Sequence, residues 1–152
     1  MQKWGPITWN LFHTMAEKIK DEHFDRHFPQ LWKHFTKICH SLPCPQCSEH
    51  ATIYIKQFRE TQIKNKDLFQ KFIHQFHNHA NNNTNKPLYK IEILDIYKNN
   101  NLSQVFNDFI IEWNYQMNQK NMNLIAHNFI RKKTIKDFHL WFYSNLDIFD
   151  FS

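Results

Sequence analysis

A chain of 152 residues is long enough to bury a core of its own as one domain, so any cysteine pair in it need not be a structural staple. One glycine against fifteen phenylalanines and five tryptophans argues against an all-β fold, whose turns draw on glycine, and for packed helices. A formal charge of +5 suits an anionic partner, but it also reads as a solubilising excess of lysine, and nucleic acid is not expected as a partner.

From Thr8 the apolar residues Trp9, Leu11, Phe12, Met15, Ala16 and Ile19 recur at helical spacing, with Thr8 as the N-cap. A second helix is predicted over Asp25–Ser41 and stopped by Pro43. Proline favours a first helical turn, so a third helix is predicted over Pro45–Glu60. A fourth runs over Lys66–Asn82 and ends in "NNNTNKP", where asparagine tolerates left-handed backbone and Pro87 cannot continue a helix. A short fifth helix is predicted over Ile91–Tyr97, and "KNNNLS" at Lys98–Ser103 reads as a loop. Further amphipathic segments are predicted over Leu102–Tyr115, Met122–Ile130 and Ile135–Leu146. The fold class expected is all-α. No apolar run nears the ~20 residues of a membrane span, and "MQKWGPITWN" lacks the apolar centre of a signal peptide, so a soluble protein of a cytosol-like compartment is expected.

The chemistry centres on "SLPCPQCSEH". Cys44 and Cys47 are spaced to close a small disulfide ring, and a helix N-terminus stabilises a nearby thiolate. The same pair also suits zinc, with His50 as a third ligand and Cys39, His40, His74 or His77 as a fourth. Against zinc, no second knuckle follows at the usual distance. Against a thioredoxin-like site, no strand precedes the motif.

Three motifs together resemble the flavin-linked sulfhydryl oxidases of the Erv and ALR type, most of all their short members from large DNA viruses. They are "WGPITWNLFHTMA" at Trp4–Ala16, "LPCPQCSEHA" at the cysteine pair, and "FHNHANNNTNKPLY" at Phe76–Tyr89. The resemblance covers roughly residues 4 to 97. It implies a four-helix bundle binding FAD in residues 1–98, with a helical extension over 99–152. It puts Gly5, Trp9, His13, Cys47, His77, Asn78, Asn81, Lys86 and Tyr89 at the cofactor. Residue types agree with those roles: His77, Asn78 and Asn81 share one helix face, Lys86 offers a point charge for a pyrophosphate, and Trp9 can stack on a flat ring. Taken singly, each reads as a core aromatic, a helix-end polar residue or a solvated charge; their joint spacing carries the reading.

The resemblance further implies a mechanism. A substrate thiolate attacks Cys44, Cys47 is released beside the flavin, and oxygen takes the electrons to give hydrogen peroxide. Its implied partners are protein thiols, molecular oxygen and a second copy of the chain as a homodimer, and its implied setting is viral protein maturation in the host cytoplasm, in viral factories or packaged in the virion. The chain departs from the family in three places. It lacks a second, mobile cysteine pair, so substrates reach Cys44 directly or through a thioredoxin-like carrier, and Cys39 is expected as a buried, inert thiol. Asn85 stands where a glycine is common. No tryptophan marks the last bundle helix, where Tyr89 or Tyr97 is the substitute.

Overall fold

The computed structural model describes residues 3–118 and 125–152. It is all-α: helices α1 (Trp4–Lys18), α2 (Asp21–His40), α3 (Pro45–Ile55), α4 (Lys66–Asn83), α5 (Leu102–Met117) and α6 (Ile125–Ser144), with a 3-10 segment over Ile91–Asn99.

α1 begins a turn earlier than its apolar spacing predicts, because Pro6 fits a first turn, where its missing N–H has no partner to lose. Thr8 is therefore no cap. It is buried within the helix, donates its hydroxyl to the Trp4 carbonyl at 2.6 Å and accepts from Trp113 Nε1 at 2.9 Å. α2 likewise starts earlier, at Asp21, where Asp21 and Glu22 complement the positive end of the helix dipole. α3 stops at Ile55 instead of Glu60; beyond it Phe58 packs against Tyr54 and Phe72, with centroids 5.2 and 5.0 Å away. The segment predicted as a fifth helix is the 3-10 turn, in which Tyr97 is the one buried residue.

In the extension, Asn101 caps α5 by accepting from Gln104 N–H at 3.1 Å. The expected loop at Lys98–Ser103 shrinks to Asn100 and Asn101, and Asn100 is pinned to Asn10 and Thr14 of α1 at 2.8 and 3.0 Å. The segments predicted over Met122–Ile130 and Ile135–Leu146 are joined in one helix, α6; the first three residues of that prediction lie outside the described residues. Arginine and lysine are good helix formers, so "RKKT" continues the helix with Arg131 and Thr134 turned inward and Lys132 and Lys133 outward.

α1 packs on α4, α5 and the 3-10 segment, while α2 packs on α3 and α6. Rings interlock through the bundle, Phe35 meeting Phe12, Phe69, Phe72 and Phe76 edge-on. Phe106 of α5 stacks on Phe142 of α6 at 3.9 Å. Buried residues from Trp4 to Phe149 form one contiguous hydrophobic cluster. Among the described residues no helix is long and apolar enough to cross a membrane.

Trp113 is fully buried between α5 and α1. Replacing it with alanine leaves a cavity and strips Thr8 of its donor. The expected loss is about 3–5 kcal/mol, read as a lower urea midpoint at unchanged slope.

Candidate active site

Pro43 and Pro45 separate α2 from α3 and leave Cys44 as the N-cap of α3, with Pro45 in the first turn. Cys44 and Cys47 are joined as a disulfide, their Cα atoms 5.1 Å apart. The Cys47 N–H donates to Cys44 Sγ at 3.2 Å. Both cysteines are half-buried, but they face differently. Cys47 lines a cavity of about 210 Å³, with Trp4, Phe12, His50 and Ala51 among its walls, and Cys44 does not.

A second cavity of about 620 Å³ opens between α1, α4 and the 3-10 segment. Gly5, Trp9, His13, His77, Asn78, Asn81, Lys86 and Tyr89 all line it. Gly5, Pro6, Trp9, Asn81 and Lys86 wall both cavities, so the two adjoin across those residues.

Within this wall, rings are layered. Trp9 stacks on His77 at 4.2 Å, and His13 stacks on Tyr97 at 4.4 Å. Tyr97 is thus the tyrosine at the core of the site, whereas Tyr89 is 47% exposed, its ring 6.4 Å from His77. His13 Nε2 and His77 Nδ1 share a hydrogen bond of 2.9 Å, leaving the buried His13 Nδ1 with no protein partner. Burial, then the neighbouring His77 and His74, lower the pKa of His13 to about 3. Burial, then His74 and Lys86, lower that of His77 to about 4. Both rings are therefore neutral at pH 7, one donating and one accepting.

The amides divide. Asn78 donates to the Tyr89 carbonyl at 2.8 Å and accepts from the Tyr89 N–H at 2.9 Å, so it fastens the loop after α4 to the helix. His74 bonds the same carbonyl at 2.8 Å. Asn81 is buried and lines both cavities, while its backbone carbonyl accepts from Lys86 N–H at 2.8 Å. That turn needs left-handed backbone, and Asn85 supplies it with φ 58°. Sequence reasoning did not place His74 in this wall; its spacing of four from Asn78 is the signal that could have found it.

Cys39 is buried and unpaired, its thiol pKa pushed up by burial. Among the described residues no group of three or more His, Cys, Asp or Glu is placed to hold a metal ion. With Cys44 and Cys47 oxidised to a disulfide, the ligand set that zinc would need is not assembled.

Residues 6–101 match the Erv1 / Alr family. This chain belongs to that family. It is 30% identical over 117 residues to the FAD-linked sulfhydryl oxidase of African swine fever virus, covering 74% of this chain and 98% of the relative. It is 34% identical over 92 residues to a protein of Invertebrate iridescent virus 6 that bears the name "Putative FAD-linked sulfhydryl oxidase 347L", covering 56% of this chain and 82% of the relative. No solved structure gives a significant match.

The two depressed histidines carry a pH consequence. Their folded pKa values lie below the ordinary 6.5, so below pH 6.5 the unfolded chain takes up protons that the folded chain refuses. Stability is expected to be flat above about pH 6.5 and to fall toward pH 4, by roughly 3–5 °C in Tm per pH unit for each histidine. Thermal unfolding across pH checks this, and His13→Gln should flatten the slope.

Proposed function

We propose that this chain is an FAD-dependent thiol oxidase that makes disulfide bonds in protein substrates through Cys44 and Cys47. The observation that carries the reading is a disulfide at a helix N-terminus whose second sulfur faces a cavity adjoining the histidine-lined one. The FAD-linked names of its viral relatives support the cofactor.

The residues fit such a group. A cavity of about 620 Å³ is in the range of small-molecule and cofactor sites. The orphaned His13 Nδ1 and the Asn81 amide offer polar contacts inside it, and Lys86 supplies a cation. A Cβ built on Gly5 meets no atom within 4 Å, so the protein leaves open space at that wall. Gly5, Trp9, His13, His77, Asn81, Lys86 and Tyr89 would hold FAD, and Asn78 would act through the Tyr89 backbone it fastens.

In the thiol half of the reaction, a substrate thiolate attacks Cys44 Sγ, the S–S bond breaks, and Cys47 leaves as a thiolate. A second substrate thiol, deprotonated, attacks the mixed disulfide. The substrate leaves with its disulfide and the chain keeps a dithiol. The positive end of α3 favours the Cys47 thiolate. When bound, FAD supplies a two-electron acceptor for that dithiol and returns the electrons to oxygen, giving hydrogen peroxide.

Residues 1–98 form the catalytic core in this reading, and 99–152 an extension that packs against it. Protein thiols reach Cys44 directly or through a thioredoxin-like carrier, since Cys39 is buried and cannot relay electrons. By likeness to viral relatives, the chain works as a homodimer on viral proteins in the host cytoplasm or within the virion.

The purified protein is expected to be yellow, with flavin absorption bands, and to consume oxygen when given dithiothreitol in air. Cys47→Ser should keep the colour and lose turnover by at least about 100-fold, a lower bound for removing a residue that reacts covalently. A colourless protein carrying stoichiometric zinc would overturn the reading. A second check is Gly5→Leu, which should leave the melting temperature of the apoprotein near wild type and lower FAD occupancy several-fold by absorbance.

A further inference from the structure

Cys44 stands between Pro43 and Pro45, neither of which has an N–H to anchor the chain. The segment entering the disulfide therefore depends on its carbonyls for ties to its surroundings. The carbonyl of the buried Leu42, two residues before Cys44, accepts from His127 Nε2 at 2.7 Å. Its other partner, Ser48 Oγ, is distant at 3.4 Å. The loop's other hydrogen bonds stay with α2 and α3, such as Ser41 Oγ to the Lys37 carbonyl at 2.8 Å and Cys47 N–H to Cys44 Sγ at 3.2 Å. Among the described residues, His127 is the one donor from outside α2 and α3 that bonds residues 41–47.

His127 belongs to α6, outside residues 6–101 that match the family. α6 is a firm base for it. The helix runs antiparallel to α2, with Trp141 Nε1 donating to Gln30 Oε1 at 2.9 Å and Trp141 lying 5.2 Å from His34. One turn beyond His127, Arg131 is fully buried and donates to Asn128 Oδ1 within α6.

We propose that His127 is a positioning residue for the Cys44–Cys47 couple: the extension reaches back and sets how readily this disulfide is reduced. The inference rests on the reading of that disulfide as the working redox pair. Two physical routes give one sign. If the bond persists in the dithiol, it restricts a loop that reduction would otherwise free. If the bond forms only in the disulfide state, it stabilises that state directly. Either way, removing the donor favours the dithiol.

The test equilibrates the full chain, without oxygen, in glutathione buffers, where one disulfide and two glutathione thiols exchange for one dithiol and oxidised glutathione. Acid quenching and alkylation then count free thiols by mass. His127→Phe keeps a ring and loses the donor; His127→Gln keeps an N–H donor at similar reach. For His127→Phe the equilibrium is expected to move toward the dithiol by roughly three- to tenfold, tenfold being about 30 mV, with His127→Gln within about twofold of wild type. A His127→Phe protein indistinguishable from wild type overturns the proposal, and so does an equal shift in both variants, which would mark mere loss of packing. Should His127→Phe fail the far-ultraviolet test of folding, His127→Asn, whose amide is too short to span the gap, takes its place with the same expectations. Failure of the oxidase reading shows separately, as a wild-type protein without flavin or turnover whose thiol equilibrium still responds to these substitutions.

Discussion

Six consecutive residues of α1, Leu11 to Ala16, are buried, and a helix reaches that state only when other elements enclose it on every side. Enclosure forces its polar side chains to find partners, because an unpaired buried donor or acceptor costs about 1–3 kcal/mol. Each of four does so on a later part of the chain. Thr8 takes Trp113 of α5, His13 takes His77 of α4, Thr14 takes Asn100, and Lys18 donates to the Lys98 carbonyl. These bonds span separations of 64 to 105 residues, so they close only when the whole chain is in place. α1 is thus the axle around which core and extension are both fixed.

The candidate cofactor cavity is a by-product of the same enclosure. α4 approaches α1 closely enough for His77 to stack on Trp9 and bond His13, and the 3-10 segment closes the other side with Tyr97. Burial keeps both imidazoles neutral, which lets them bond each other instead of repelling. The cost of desolvating them is borne by a fold that holds Lys86 at the mouth and leaves one imidazole nitrogen unsatisfied inside. A wall that is aromatic, carries one cation and leaves one imidazole nitrogen without a partner suits a flat polar ligand more than a solvent pool.

Much of this was legible from the residues. Helical period and a proline in a first turn located α1 to α5 and gave α6 as two segments, and Asn85 could be read as left-handed backbone because asparagine is among the few side chains that tolerate it. What failed to show were features decided across the chain. Thr8 looks like a cap in its local context, and only Trp113, 105 residues away, makes it a buried acceptor. The gap left between the segments predicted over Met122–Ile130 and Ile135–Leu146 is helical too: α6 turns Lys132 and Lys133 to solvent and buries Arg131 and Thr134. Asn78 carries the right type and spacing for a ligand contact, but its amide is engaged by the Tyr89 backbone. His127 offers no signal at all, since nothing local distinguishes a histidine that meets Leu42 from one that meets water.

The extension changes how the disulfide loop should be understood. Prolines on both sides of Cys44 stiffen φ and remove donors, which lowers the entropy of the loop but also leaves it with few bonds of its own. Such a segment is well suited to exchange chemistry, where the bond that holds it must open and reform each cycle. It then needs an external reference that survives opening. α3 provides one through its first turn, and α6 provides another through His127. Because α6 is itself registered on α2 by Trp141 and Gln30, the loop between α2 and α3 is gauged from both ends by the helix it leaves and the helix that runs beside it. A chain with a single exchangeable disulfide and no second pair to relay electrons has its redox poise concentrated in this one loop, and the geometry of its surroundings is the means the fold has to set it.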